Sequence, residues 1–195
     1  MIIYLTRHGQ TTGDLENRYG GDYDDHLTDL GKQQSSQLAD VLADKGIDLL
    51  LASPRIRAQE TATLIAKKLG LATRTVEDFR ERNGYGILTG MTKDEALKTY
   101  PDQVEILKNV HAAVEGAEEY EPFQKRITNA LESLRREQAD KIAVVTHGGP
   151  IRLIFRDVLN LGEIDVDDCA YAILETSNDN YKLLDKSGIT VKEQK

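Results

Sequence analysis

The sequence predicts a three-layer α/β/α sandwich built on a mostly parallel central sheet, and three observations carry the prediction. Wholly apolar runs at Ile2–Leu5, Leu49–Ala52 and Ile142–Val145 read as strands buried on both faces. They alternate with segments whose apolar residues recur at helical spacing, as parallel strands joined by crossover helices require. A length of 195 residues suits one domain with a sizeable core and a modest insertion, so residues 1–195 are read as one unit.

In chain order, the first strand stops abruptly at polar Thr6, Arg7, His8 and Gly9 and opens into a loop. Leu38, Val41 and Leu42 mark a helix within 29–45, closed by Gly46. The second strand ends at Ser53-Pro54 and leads to a helix with Ile56, Ala62, Ile65 and Leu69 on one face, stopping at Gly70. A helix over Arg126–Gln138 precedes the third strand, and after Gly148-Gly149-Pro150 another follows over Ile151–Leu159. Tyr171–Glu175 and Tyr181–Leu184, separated by Ser-Asn-Asp-Asn, read as a terminal hairpin. The stretch from Glu81 to Glu121 breaks the alternation. It holds Gly84, Gly86 and Gly90, then a capping box at Thr92–Glu95 opening a short helix that stops near Pro101, and it reads as an insertion over one end of the sheet, a candidate lid.

Composition narrows the function. The chain is 39% hydrophobic and 30% charged, the balance of a globular protein, and its net charge of -8 disfavours nucleic acid. That charge also repels anionic substrates unless a local cluster of cations overrides it. The lone Cys169 excludes an intrachain disulfide and fits a reducing compartment. The apolar start, five residues long, is too short for a signal peptide or membrane span, so a cytoplasmic protein without membrane attachment is expected.

Ligands of open α/β sheets sit beyond the carboxyl ends of the strands. The first strand ends at Arg7-His8, the second leads to Arg55 and Arg57, and the third ends at Thr146-His147-Gly148, so two histidines and at least two arginines converge on one edge. A neutral imidazole is a competent nucleophile, and neighbouring guanidinium groups favour its uncharged form. Arginines complement the oxygens of a transferring phosphoryl group without a metal. His8 thus suits attack on phosphorus, with Arg7 and Arg57 around it and Glu81, at the mouth of the insertion, as proton donor.

These residues resemble a known family. Arg7-His8-Gly9-Gln10-Thr11 and Leu27-Thr28-Asp29-Leu30-Gly31 are similar to the signature of the phosphoglycerate mutase-like branch of the histidine phosphatase superfamily. Ser53-Pro54-Arg55-Ile56-Arg57-Ala58 with Glu60-Thr61-Ala62 resembles its second arginine motif, Phe79-Arg80-Glu81-Arg82 with Tyr85–Gly90 its acid/base segment, and Thr146–Gly149 the segment of its second histidine. The resemblance implies a phosphohistidine intermediate on His8, phosphate binding by Arg7, Arg57 and His147, proton donation by Glu81, and neither metal nor organic cofactor. It also places Gln10, Thr11, Gly20, Gly21 and Gly148 near a small phosphorylated substrate. There are departures. Asp14 stands where the family usually has asparagine, and a carboxylate there disfavours phosphate unless protonated, turned away or paired. One extra residue, at Asn83-Gly84, follows the acid/base motif, and Gly116-Ala117-Glu118-Glu119 follows its glycine-glutamate-serine element only loosely.

The chain lacks a long arginine-bearing insertion between Tyr100 and Glu121, and the 48 residues after His147 leave little for a closing tail. Hydrolysis of phosphomonoesters is therefore expected over phosphoryl return by a cofactor-dependent mutase. A non-catalytic binding protein predicts an eroded catalytic set, which this sequence does not show. A metallohydrolase on His8, His147 and Asp14 conflicts with the flanking arginines.

Overall fold

In the computed structural model, which describes residues 1–177 and 180–192, the three apolar runs lie side by side at the centre of a sheet. The strands are β1 (Ile2–Arg7), β2 (Leu49–Ala52), β3 (Thr73–Thr75), β4 (Lys141–Thr146), β5 (Ile164–Ser177) and β6 (Asn180–Val191), in the order β3-β2-β4-β1-β5-β6. β1 to β4 run parallel, and the long β5–β6 hairpin adds two antiparallel strands beside β1.

The helices are α1 (Thr12–Leu15), α2 (Asp29–Ala43), α3 (Ile56–Leu69), α4 (Lys93–Thr99), α5 (Pro101–Ile106), α6 (Tyr120–Ser133) and α7 (Gly148–Leu153). Alternation along the strands divides the core between two helical layers. Ile3, Leu5, Ile142 and Val144 pack with Phe123, Ile127 and Leu131 of α6 and Leu153 of α7. Tyr4, Ala143 and Val145 pack with Leu38 and Leu42 of α2 and Ala62 and Ile65 of α3. Both faces of the central strands are covered, which is why their sequences are apolar without a period of two. The architecture is thus a six-stranded sheet between two layers of helices.

Several boundaries differ from the sequence reading. The helix expected over Arg126–Gln138 starts at Tyr120, because Tyr120 and Phe123 extend its apolar face, and its tail, Leu134–Arg136, tightens into a 3₁₀ turn. The helix expected from Ile151 starts at Gly148, since the N–H that Pro150 lacks is one of the first-turn groups that have no helical partner anyway. It continues as a π-helical turn over Ile154–Val158. The insertion's capped helix does stop near Pro101, at Thr99, and Pro101 then occupies the first position of a further short helix, α5. α2 ends at Ala43, three residues before Gly46, which turns with φ of 67°. The terminal hairpin is far longer than its two expected strands, because register shifts between Val166 and Tyr171 and between Ile173 and Leu174 break the alternation that periodicity relies on. Its expected turn falls partly on residues 178 and 179, outside the described residues. β3 and α1 are too short to leave a periodic signal.

The segment between Glu81 and Glu121 holds α4, α5 and a 3₁₀ turn at Gly86–Leu88. It has a small core of its own, where Leu88, Ala96 and Val114 pack with Tyr19. The capping box at α4 is present, with Thr92 and Glu95 satisfying each other's backbone N–H groups.

Candidate active site

β1, β2 and β4 deliver their polar ends to one edge because adjacent parallel strands place their carboxyl ends together. His8 follows the last residue of β1, and its backbone N–H still bonds Thr146 at the end of β4. The imidazole is buried. Its Nδ1 lies 2.8 Å from the Gly9 carbonyl oxygen, which can only accept, so Nδ1 carries the proton and Nε2 presents a lone pair. Arg57, in the first turn of α3, donates from Nε to that Nε2 at 3.1 Å. Burial, then Arg57 and Arg7, hold the His8 pKa well below 6.5.

Arg57 is itself fixed. Its terminal nitrogens donate to Tyr23 O at 2.7 Å, to Gly21 O at 3.0 Å and to Asp25 at 3.0 Å, the last within a fully enclosed ion pair. Arg7 is held by Val166 O at 2.7 Å and by Asp168 at 3.1 Å. The register shift in β5 between Val166 and Tyr171 bulges Asp168 towards it. His147 lies beside His8, with ring centroids 5.0 Å apart, and its Nε2 is 2.7 Å from the Ser53 hydroxyl. Burial, then Arg57, also holds the His147 pKa well below 6.5.

Among the described residues, three buried side-chain polar atoms lack a hydrogen-bond partner: Arg7 Nε, Arg55 Nε and His147 Nδ1. All three belong to this sheet edge. A buried polar atom left unpaired costs about 1–3 kcal/mol, and two of these atoms, on Arg7 and His147, belong to residues that flank His8.

Glu81 accepts from the backbone N–H groups of Arg82 at 2.8 Å and Gly149 at 3.0 Å, which aims its carboxylate between the insertion and α7. A cavity of about 430 Å³ opens here, lined by Arg7, His8, Arg57 and Glu81 at its reactive end. Seven basic and four acidic side chains line it, which reverses the sign of the whole protein's charge locally. Among the described residues no group of three or more histidine, cysteine, aspartate or glutamate side chains could hold a metal ion.

The structure thus brings Arg7, His8, Arg57, Glu81 and His147 together. Thr11, Asp14, Gly20, Gly21 and Gly148 also line the cavity. Gln10 does not: its amide oxygen accepts from the Thr28 hydroxyl at 2.9 Å and fastens the loop to the start of α2. Asp14 closes a capping box with Thr11 and stands 4.0 Å from Arg7, so its carboxylate is paired as well as near the site. The glycines after the two histidines serve neighbours within the protein. A Cβ on Gly9 would lie 2.4 Å from Gly31 O, and one on Gly148 would lie 2.7 Å from an Arg152 nitrogen.

Sequence reasoning missed Asp25, Asp168, Ser53 and Arg152. Asp25 sits in the acidic run Asp22-Tyr23-Asp24-Asp25, which reads as a solvated loop. In fact Asp22 pairs with Arg55, Asp24 accepts from Ile56 N at 2.8 Å, and Asp25 pairs with Arg57, clamping the loop onto the start of α3.

Residues 3–187 match the family model of the histidine phosphatase superfamily (branch 1). The chain is 34% identical over 159 residues to phosphoglycerate mutase-like protein 4 of Arabidopsis thaliana, covering 78% of this chain and 69% of that protein. It is 29% identical over 157 residues to a protein of Bacillus subtilis named uncharacterized phosphatase PhoE, covering 80% and 76%. The alpha-ribazole phosphatase structure from Shigella flexneri shares the fold with a TM-score of 0.83 at 24% identity, covering 94% of this chain and 95% of that one. The chain therefore belongs to the histidine phosphatase superfamily, branch 1, a family of phosphoryl-transfer enzymes.

Proposed function

We propose that this protein is a metal-independent phosphatase that hydrolyses small phosphomonoesters through a phosphohistidine on His8. The observation that carries the reading is the pairing of a buried, neutral His8, whose lone pair is on Nε2, with the unpartnered Arg7 Nε and His147 Nδ1 around it.

His8 Nε2 attacks phosphorus as the bond to the ester oxygen breaks, and the Glu81 carboxyl group gives that oxygen its proton. The N–H groups of Arg82 and Gly149 then hold the carboxylate that remains. Water attacks the phosphohistidine, Glu81 takes the water's proton, and orthophosphate leaves with Nε2 free again. With the Ser53 hydroxyl donating to Nε2 of His147, that ring carries its proton on Nδ1 and donates to a phosphoryl oxygen. Arg7 and Arg57 are positioned in advance by Asp168, Asp25 and backbone carbonyls, so they stabilise charge without reorganising. The arginines also oppose a cation in the same place.

Among the described residues, 164–177 and 180–191 beyond α7 pair in the sheet and do not cover the cavity, which supports hydrolysis over phosphoryl return. The insertion at about 81–121 forms the cavity's other wall and acts as its lid. The single thiol, Cys169, has its pKa pushed up to about 11 by burial and fits a cytoplasmic setting.

The test is a phosphomonoester panel scored for free phosphate in excess chelator, with 3-phosphoglycerate also assayed for isomerisation after priming with 2,3-bisphosphoglycerate. Release without isomerisation supports the phosphatase; isomerisation replaces it with a mutase. His8→Ala should reduce kcat by about 10⁴-fold or more while the far-UV circular dichroism stays unchanged. A variant with near-normal kcat would sink the mechanism.

A further inference from the structure

Most arginines lining the cavity are already spoken for. Arg7 and Arg57 are held as described, Arg18 by Glu16 and Gly90 O, Arg82 by the carbonyls of Glu118, Val110 and Ala112, and Arg156 by Asp157 and Glu163. Arg152 alone among them has neither an ion pair nor a hydrogen bond within the described residues. It is half-buried, so its charge is only partly compensated by water.

Its position is specific. Arg152 follows Gly148 by four residues, which puts both on one face of the helix that begins beside His147. The guanidinium lies over the bare Cα of Gly148, where a Cβ would stand 2.7 Å from Nη1. Glu81 lies in the same way over Gly149, where a Cβ would stand 2.0 Å from Oε1. Neighbouring Cα atoms are about 3.8 Å apart. The Gly148-Gly149 pair therefore seats the proton donor and a free cation over successive residues of one helix start, within the lining of one cavity. Tyr85 joins them: its hydroxyl feels the charges of both Glu81 and Arg152 and has no hydrogen-bond partner among the described residues. With Glu81 read as serving the leaving oxygen, Arg152 stands on the same wall of the cavity as that oxygen.

We propose that Arg152 selects phosphomonoesters that bear a second anionic group, a carboxylate or another phosphate, on the leaving group close to the ester oxygen. The inference rests on the phosphatase reading for the identity of the leaving side. The guanidinium fork would take the second anion bidentately, with Tyr85 as an additional donor. A cavity of about 430 Å³ accommodates such a compound, and its excess of basic side chains favours one that carries more than one negative charge.

The experiment compares matched pairs: 3-phosphoglycerate with glycerol 3-phosphate for the carboxylate, and ethylene glycol bisphosphate with ethylene glycol monophosphate for the phosphate. Calorimetric binding to the His8→Ala protein, with and without Arg152→Ala or Arg152→Gln, gives the preference within each pair free of turnover. Phosphate release by the parent protein gives kcat/KM ratios. The expected result is a preference for the doubly anionic member of at least one pair that Arg152→Ala reduces by about 10- to 100-fold, and that Arg152→Lys partly restores. The pair that responds identifies the anion. The proposal is overturned if neither pair shows a preference, or if the Arg152 variants weaken both members equally. Absence of phosphate release with an intact Arg152-dependent binding preference would instead count against the phosphatase reading alone.

Discussion

At the scale of the residue, Asp14 shows how a local pairing alters the meaning of a charge. Its Oδ2 accepts from Thr11 N and the Thr11 hydroxyl, both at 2.8 Å, while Oδ1 faces Arg7 at 4.0 Å. Asparagine keeps an acceptor for the capping interaction but removes the charge. Asp14→Asn should therefore lower KM for phosphomonoesters by about 2- to 5-fold at low ionic strength and leave kcat unchanged, because a half-exposed charge pair is worth about 0.5–1 kcal/mol. Asp14→Ala also removes the cap and should cost about 0.5–2 kcal/mol in denaturant unfolding. If Asp14→Asn leaves KM unaltered, the carboxylate is only a fastener of the turn.

At the scale of the element, the site depends on how closely segments approach. The first turn of α2 meets the loop after His8 with almost no clearance: a Cβ on Gly31 would stand 2.1 Å from Gln10 O. α7 meets the insertion through Gly149 and Glu81 in the same manner. Gly149→Ala should thus displace the carboxylate rather than unfold the helix, since alanine is a better helix former than glycine. The expected outcome is a kcat lowered by about 10²-fold, the usual cost of misplacing a catalytic group by an ångström, with Tm within a few degrees of the parent. A large loss of Tm, or normal kcat, would contradict that assignment. The elements read correctly from sequence were those buried on one regular face, such as α3 with Ala62 and Ile65, or on two, such as β4. Those misjudged, α6, α7 and the β5–β6 hairpin, owe their bounds to neighbours: the packing of Tyr120, a proline tolerated in a first turn, and bulges that serve Arg7.

At the scale of the molecule, a chain of net charge -8 concentrates cations at one sheet edge and buries two neutral histidines among them. Both histidine pKa values are lowered by folding, so the unfolded chain binds more protons below about pH 6.5. Their contribution to stability is therefore complete above that pH and is lost as pH falls towards their folded values, at up to about 1.4 kcal/mol per pH unit for each. Exposed His26, whose pKa is raised by its hydrogen bond to Glu60, acts in the opposite sense but is screened by solvent. Thermal unfolding should give a Tm that is level from pH 8 to 7 and declines below 6.5, with a shallower decline in His8→Gln. A Tm that rises between pH 6.5 and 5 would refute the neutral, buried state of the pair. Orthophosphate should raise Tm by mass action, through about 2.7 kcal/mol of added stability at a hundredfold excess over its Kd.

The sequence by itself determined the fold class and the meeting of Arg7, His8, Arg57, Glu81 and His147. Wholly apolar strands leave few places for polar ends to go, and parallel pairing gathers those ends on one edge. Only the tertiary structure decided which carboxylates hold the arginines, which nitrogen of His8 is free, that Gln10 turns away, and that Arg152 is left without a partner. These are contacts between residues far apart in sequence, such as Arg57 with Asp25 and Arg7 with Asp168. Periodicity reports only which face of an element is buried; it carries no record of what lies across the gap.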